Sequence, residues 1–510
     1  MKNRLPPTRL VATPRPGMLS IILAGLLSLT SAFAQDTFDW NDRVQRSWES
    51  VTAMRLSEAQ AWNAAEKSEH PHNLAPLLVD SYADLLRLYF AERRADYPRF
   101  RDDLSARLDR IEASDDKGPF LGFSQGLLHF HGALAAIRFN DKWNAALEVR
   151  RAYAHLRDNH NLHPQFGPNK VYFGVLTSML GAVPNGFQWI LNLFGFRGDI
   201  RTGNRMLADH IEGRTQHPAL CRSEALILYP YLVSVLEGDP EKAMRHIERG
   251  GLDLVRNHLH AFMAMNIYIN NQRSEAALRI VNGIDTSRAY LPIPFWDFER
   301  GHIYLNLFRL KEAQSAYTRF VNGFRGDYYV RDAYEKLSWI ALLQNDLKRA
   351  AEMRAMVLRR GTDVSDADRS ATGNARSGQW PHPLLLKARL LSDGGLQAQA
   401  WETLQSADPR SLRSRADLTE YSYRMGRTLD LMGRKDEALR HYARTIEQGK
   451  GMREYFAARA ALQAGRIHED RREYDRAADC FSQCLEMTGH EYKNSIDQKA
   501  KAGLQRCKRH

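Results

Sequence analysis

Few residues in this chain stand at spacings that could do chemistry. Gly122-Phe-Ser-Gln-Gly126 has the Gly-x-Ser-x-Gly spacing that presents a nucleophilic serine at a strand-to-helix elbow, so Ser124 is a candidate for ester hydrolysis. The run before it holds Asp115, Asp116, Lys117, Gly118 and Pro119, which no buried strand accommodates. Hydrolysis is therefore the weaker alternative, and no catalytic residue is assigned. His70 and His72, His129 and His131, and His258 and His260 form pairs two residues apart. On a helix that spacing turns the rings about 200° apart, which is poor for shared ligation. His468-Glu469 lacks the second histidine of a zinc-protease helix. Cys221, Cys480, Cys484 and Cys507 are too few in 510 residues for a disulfide framework. They read as buried thiols, with a bridge from Cys480 or Cys484 to Cys507 left open. No metal or cofactor site emerges.

The first 34 residues read as a secretory signal peptide. Lys2, Arg4, Arg9 and Arg15 make a basic start, Met18 to Ala32 is uncharged, and Ala32-Phe33-Ala34 is a small-x-small cleavage site. The chain is expected to be exported, periplasmic or secreted, and not a lipoprotein, because Gln35 rather than Cys follows the site. Lys and Arg number 72 against 60 Asp and Glu, and four of the cations lie in the leader. So mild an excess suits solubility and argues against a nucleic-acid partner.

Helical periodicity dominates the remainder, and a repeat runs through it. Gly426, Gly433, Asp436, Ala438 and Tyr442 recur 39 residues later as Gly465, Arg472, Asp475, Ala477 and Phe481. The same frame gives Gly301, Phe308, Ala313 and Tyr317, and then Ser338, Asn345, Ala350 and Val357. Small residues on both helices of a pair let their backbones approach, and an aromatic four residues past the alanine fills the space beside them. The packing alanines predicted in this way are Ala145, Ala243, Ala276, Ala313, Ala350, Ala400, Ala438 and Ala477. Residues 361–380 are polar and predict a loop. A charged helix near Glu491 to Arg506 predicts a solvating cap.

This pattern resembles the tetratricopeptide repeat. The resemblance implies an all-α fold, an α-solenoid of helix pairs, with a divergent N-terminal region over 35–215 and a regular array over 216–510. It also implies a ligand groove lined by first-helix positions, which here are Phe295, Phe298, His302, Trp339, Tyr423, Arg427, Leu462 and Arg466. Aromatics followed by arginines suit a protein or peptide ligand, or an anionic group.

A second likeness covers residues 165–210. Gly174, Ser178, Pro184, Gly195, Phe196, Gly198 and Asp199 are similar to the central signature of the tetratricopeptide-39/Iml2-like family. That family is helical-repeat and has no established catalysis. The signature lies in an apolar stretch, 171–196, that Pro184-Asn185-Gly186 divides into two halves. Each half is too short to cross a hydrocarbon core of about 30 Å. The stretch reads as a buried helical hairpin, with peripheral membrane or lipid contact as its alternative. The expected function is a non-enzymatic exported scaffold for protein or peptide partners in the cell envelope. Lipid or glycan capture is the second binding class.

Overall fold

The computed structural model describes residues 35–183, 195–412 and 414–508. The predicted leader and the second half of the apolar hairpin lie outside these residues. Among the described residues there are two isolated backbone bridges and no sheet. The N-terminal half pairs α1 (Asp42–Thr52) with α2 (Leu56–Glu69), α3 (Ala75–Ala91) with α4 (Asp96–Glu112), α5 (Pro119–Arg138) with α6 (Lys142–Leu162), and α7 (Gly167–Gly181) with α8 (Ile200–Ile211). Then follow α9 (Arg222–Leu232) with α10 (Pro240–Glu248), α11 (His258–Asn270) with α12 (Ser274–Gly283), α13 (Phe295–Asn306) with α14 (Leu310–Gly323), and α15 (Val330–Leu343) with α16 (Leu347–Arg359). A lone helix, α17 (Asp366–Ser377), precedes α18 (Pro383–Asp393) with α19 (Gln397–Gln405), α20 (Arg415–Leu431) with α21 (Lys435–Gly449), α22 (Phe456–Asp470) with α23 (Tyr474–Glu486), and the closing α24 (Lys493–Cys507).

The repeat frame has a local cause. Phe308, Asn345, Gly433 and Arg472 all adopt positive φ, at 57°, 61°, 80° and 62°. Each is the left-handed residue that ends a first helix and turns the chain toward its partner. A methyl group on Gly301 would stand 2.7 Å from the Tyr317 ring, and one on Gly426 2.8 Å from the Tyr442 ring. Gly465 meets Phe481 at 2.6 Å in the same way, and Gly503 of α24 approaches that ring from the other side at 2.5 Å. The aromatic thus fills the space above its own hairpin's glycine, and in the last repeat it also seats the cap. Ala313, Ala350, Ala400, Ala438 and Ala477 are fully buried on the second helices, as is Ala243.

Two of the predicted alanines are misplaced. Ala277, not Ala276, is the buried alanine of α12. In α6 the crossing lies at Ala152 and Leu156, with Gly126 against Leu156, while Ala145 is half-exposed. Helices α5 and α6, at 20 and 21 residues, outrun the repeat's usual length, so they cross further from their turn. The 361–380 loop is also corrected, because it contains α17. Ser365 caps that helix by accepting from the Asp368 N–H at 3.0 Å, and Asp366 and Asp368 sit where the helix dipole favours acids. Its polarity, which reads as loop, serves a neighbour. The buried Asp368 carboxylate accepts the backbone N–H groups of Tyr329, Arg331 and Asp332 at the start of α15.

One apolar core runs continuously from Trp48 to Leu390, across the 215/216 boundary. Smaller clusters follow along the last hairpins. Helix α7, the first half of the apolar stretch, buries Val171, Tyr172, Phe173, Val175, Leu176 and Leu180. The signature residues explain its close crossing with α8. A methyl group on Gly174 would lie 2.8 Å from the Gly203 carbonyl oxygen, and Asp199 caps α8 by accepting from Thr202 N–H at 2.7 Å. Helix α5 is long and apolar enough to cross a membrane by composition, and most of it is packed inside the fold.

Candidate functional site

Ser124 lies inside helix α5, fully buried, with no elbow and no partner for its hydroxyl among the described residues. The histidine pairs serve packing. His131 stacks on the Tyr82 ring and bonds Ser81 Oγ at 2.8 Å, and burial, followed by the Arg107 charge, pushes its pKa down to about 3. His129 meets Glu148 at 2.7 Å, His258 stacks on Tyr290 at 3.8 Å, and His260 Nε2 lies 2.8 Å from the Ser223 carbonyl oxygen. His70 and His72 pair with Glu66 and Asp36. His468 meets Glu473 at 2.6 Å. All four cysteines are free thiols. No cluster of three metal-ligating side chains occurs among the described residues.

The eight first-helix positions divide at residue 340. The upstream ones face other parts of the same chain. Ala53 and Met54, just past α1, accept the N–H groups of His258 and Leu291 at 3.3 and 2.9 Å. The Phe90 ring packs against Phe262 and Phe295. Glu92 accepts the N–H groups of Asp327 and Tyr328 and pairs with Arg138 at 2.7 Å. The Arg138 guanidinium covers Tyr328 at 3.9 Å and Phe295 at 5.0 Å. Phe298 stacks on Tyr329 at 4.8 Å. His302 lies 3.8 Å from Asp332 and is pushed down to about 4, chiefly by burial, so its ring is neutral.

Helix α18 closes over the rest of that stretch. Its Arg389 lies 5.4 Å from the Trp339 ring, which also carries Lys336 at 3.9 Å. Ser274 N–H reaches the Gly394 carbonyl at 3.3 Å, and a methyl group on Gly394 would stand 2.3 Å from the Asn306 carbonyl oxygen. Phe295, Phe298 and Trp339 are all buried.

The downstream positions have a different setting. Tyr423 and Leu462 are buried between hairpins, Tyr423 among Tyr442, Tyr455 and Phe456. Arg427 is half-exposed and holds Asp430 at 3.1 Å, while Arg466 is exposed. Around them the structure gathers residues that the groove mapping missed. Arg424 pairs with Glu420 at 2.7 Å, Arg459 is half-exposed, and Lys499 of α24 is exposed. Arg506 grips Glu469 at 2.5 and 2.8 Å. Burial first, and then Arg459, Arg427 and Arg506, hold the Arg466 pKa below its ordinary value. The 39-residue frame could have found Arg459, because it stands where the preceding hairpin has Glu420.

No family model matches the sequence, and no curated protein matches it. Among solved structures the chain is similar to the crystal structure of the P58(IPK) TPR domain, at 12% identity and a TM-score of 0.21, covering 74% of this chain and 97% of that one. It is also similar to yeast Tom70, at 11% identity and a TM-score of 0.23, covering 91% of this chain and 88% of that one. Scores this low lend no weight of their own. Sequential helix pairs, crossing at glycine, alanine and an aromatic, make the chain an all-α helical-repeat protein of tetratricopeptide-like build.

Proposed function

We propose that the chain is an exported, non-catalytic scaffold that binds a protein or peptide partner in the cell envelope along the first helices α20, α22 and α24. One observation carries this reading. The first-helix face is filled by the chain's own helices as far as Trp339, and beyond it Arg427, Arg459, Arg466 and Lys499 stay accessible to solvent. A repeat protein that has covered part of its own cradle binds with what remains. Export rests on the basic start, the apolar run and Ala32-Phe33-Ala34. The likeness of residues 165–210 to the tetratricopeptide-39/Iml2-like family agrees with a scaffold. Lipid or glycan capture has less support, since α7 is spent on the core.

Photo-crosslinking tests the site. A benzoyl-phenylalanine replacing Tyr455, on the open face, should give discrete protein adducts in an envelope fraction. The same probe at the exposed Ala443 of the second helix α21 should give none. Equal labelling from both positions would reject the first-helix face as the binding surface.

A further inference from the structure

The open face ends in cations that the described chain leaves unneutralised. Most basic residues nearby hold a carboxylate: Lys336 with Asp332 at 2.8 Å, Arg389 with Asp393 at 3.5 Å, Arg424 with Glu420 at 2.7 Å, and Arg427 with Asp430 at 3.1 Å. Arg459, Arg466 and Lys499 have no ion pair or side-chain hydrogen bond among the described residues, although each reaches solvent beside the others. Arg459 and Arg466 lie seven residues apart on α22 and so share one stripe of that helix, about 10 Å apart along its axis. Lys499 stands on the adjacent first helix, α24.

The repeat frame shows how the imbalance arises. In α20, Glu420 and Arg424 neutralise one another across one turn. Thirty-nine residues later these places hold Arg459 and Gln463, so the acid has become a base and the base a neutral amide. Burial, and then Arg459 and Arg466, hold the Lys499 pKa below its ordinary value. Like charges crowded in this way lower their energy when an anion is seated among them.

Building on the scaffold reading, we propose that this stretch takes an extended acidic peptide segment, whose carboxylates pair with Arg459, Arg466 and Lys499. The layout favours a chain over a compact anion. Arg459 and Arg466 are about 10 Å apart along α22 and Lys499 stands on a helix about 8–10 Å away, a spread that about four extended residues cover. Guanidinium groups take carboxylates through paired hydrogen bonds. Tyr455, half-exposed beside Tyr423 and Phe456, offers an apolar wall along the same path.

The test uses the full chain and fluorescein-labelled hexapeptides of glutamate and of glutamine, read by anisotropy. The glutamate peptide should bind at least tenfold more tightly than the glutamine peptide, and more weakly as salt rises. The triple variant Arg459→Gln, Arg466→Gln, Lys499→Gln should lose at least tenfold. A paired-cation control, Arg434→Gln, should lose nothing, and unchanged circular dichroism would certify each fold. Equal affinity for the two peptides, or a triple variant that binds like the parent, would overturn the proposal. So would heparin or phosphatidylglycerol vesicles displacing the peptide at charge-matched concentrations. If Tyr455 crosslinks persist while charge has no effect, this inference fails and the scaffold reading stands.

Discussion

Glu299 shows what a single buried carboxyl does to this fold. It is buried on α13, and burial, followed by the nearby Asp332 charge, pushes its pKa up to about 8. The folded chain therefore keeps a proton that the unfolded chain releases above the ordinary glutamate range of about 4.3. The unfolded state then binds fewer protons, so stability falls as pH rises from that range through about 8. Glu224, pushed to about 7 by burial, acts in the same direction. The buried histidines His131 and His302, held at about 3 and about 4, oppose this below about pH 6.5, so thermal melts between pH 7 and pH 9 should show a declining midpoint, and Glu299→Gln should flatten that decline. An unaltered slope in the variant would refute the assignment. The repeat's aromatic positions differ at the same level of detail. Tyr442 donates to Asp430 at 3.0 Å, whereas the buried Tyr317 hydroxyl finds no partner among the described residues.

In each helix pair, stability depends on how closely two backbones approach. Gly426 faces the Tyr442 ring, so Gly426→Ala must displace that ring and should cost about 1–3 kcal/mol. Gly283 meets nothing within 4 Å, and its replacement by alanine should be neutral or mildly stabilising. Urea unfolding of the two variants provides the comparison, and equal losses would reject this account of the crossing. Helix α17 adds a lesson about polar segments. A stretch rich in Asp, Ser and Thr forms a helix here because its side chains have work at both ends. Ser365 caps its own helix, and Asp368 caps another.

Across the molecule, the pair Glu92–Arg138 ties the N-terminal half to the array. Both side chains are 5% exposed and lie 2.7 Å apart, and Glu92 also binds backbone 235 and 236 residues away. Removing one partner strands a buried charge, so Glu92→Ala should cost about 3–5 kcal/mol. Deuterium exchange should rise at residues 327–331 and in α3 together. The exposed pair Arg434–Glu437 is the control, and Glu437→Ala should leave the melt unchanged. A Glu92→Ala protein with parental stability would show that the two halves are held by apolar packing alone.

The 39-residue frame announced the helix pairs and most of their packing alanines, since those depend on neighbours close in sequence. It also placed Arg427 and Arg466 on first helices. Tertiary packing alone settled which first-helix positions remain open. Phe295, Phe298 and Trp339 have the residue types of a groove, yet all three are buried, and Phe295 packs against Phe90, 205 residues distant in the chain. No local pattern encodes that covering, because it depends on how the N-terminal half and α18 fold back over the array. The unpaired state of Arg459 is likewise a property of its surroundings. Its position could be counted along the repeat, but the missing carboxylate had to be seen in space.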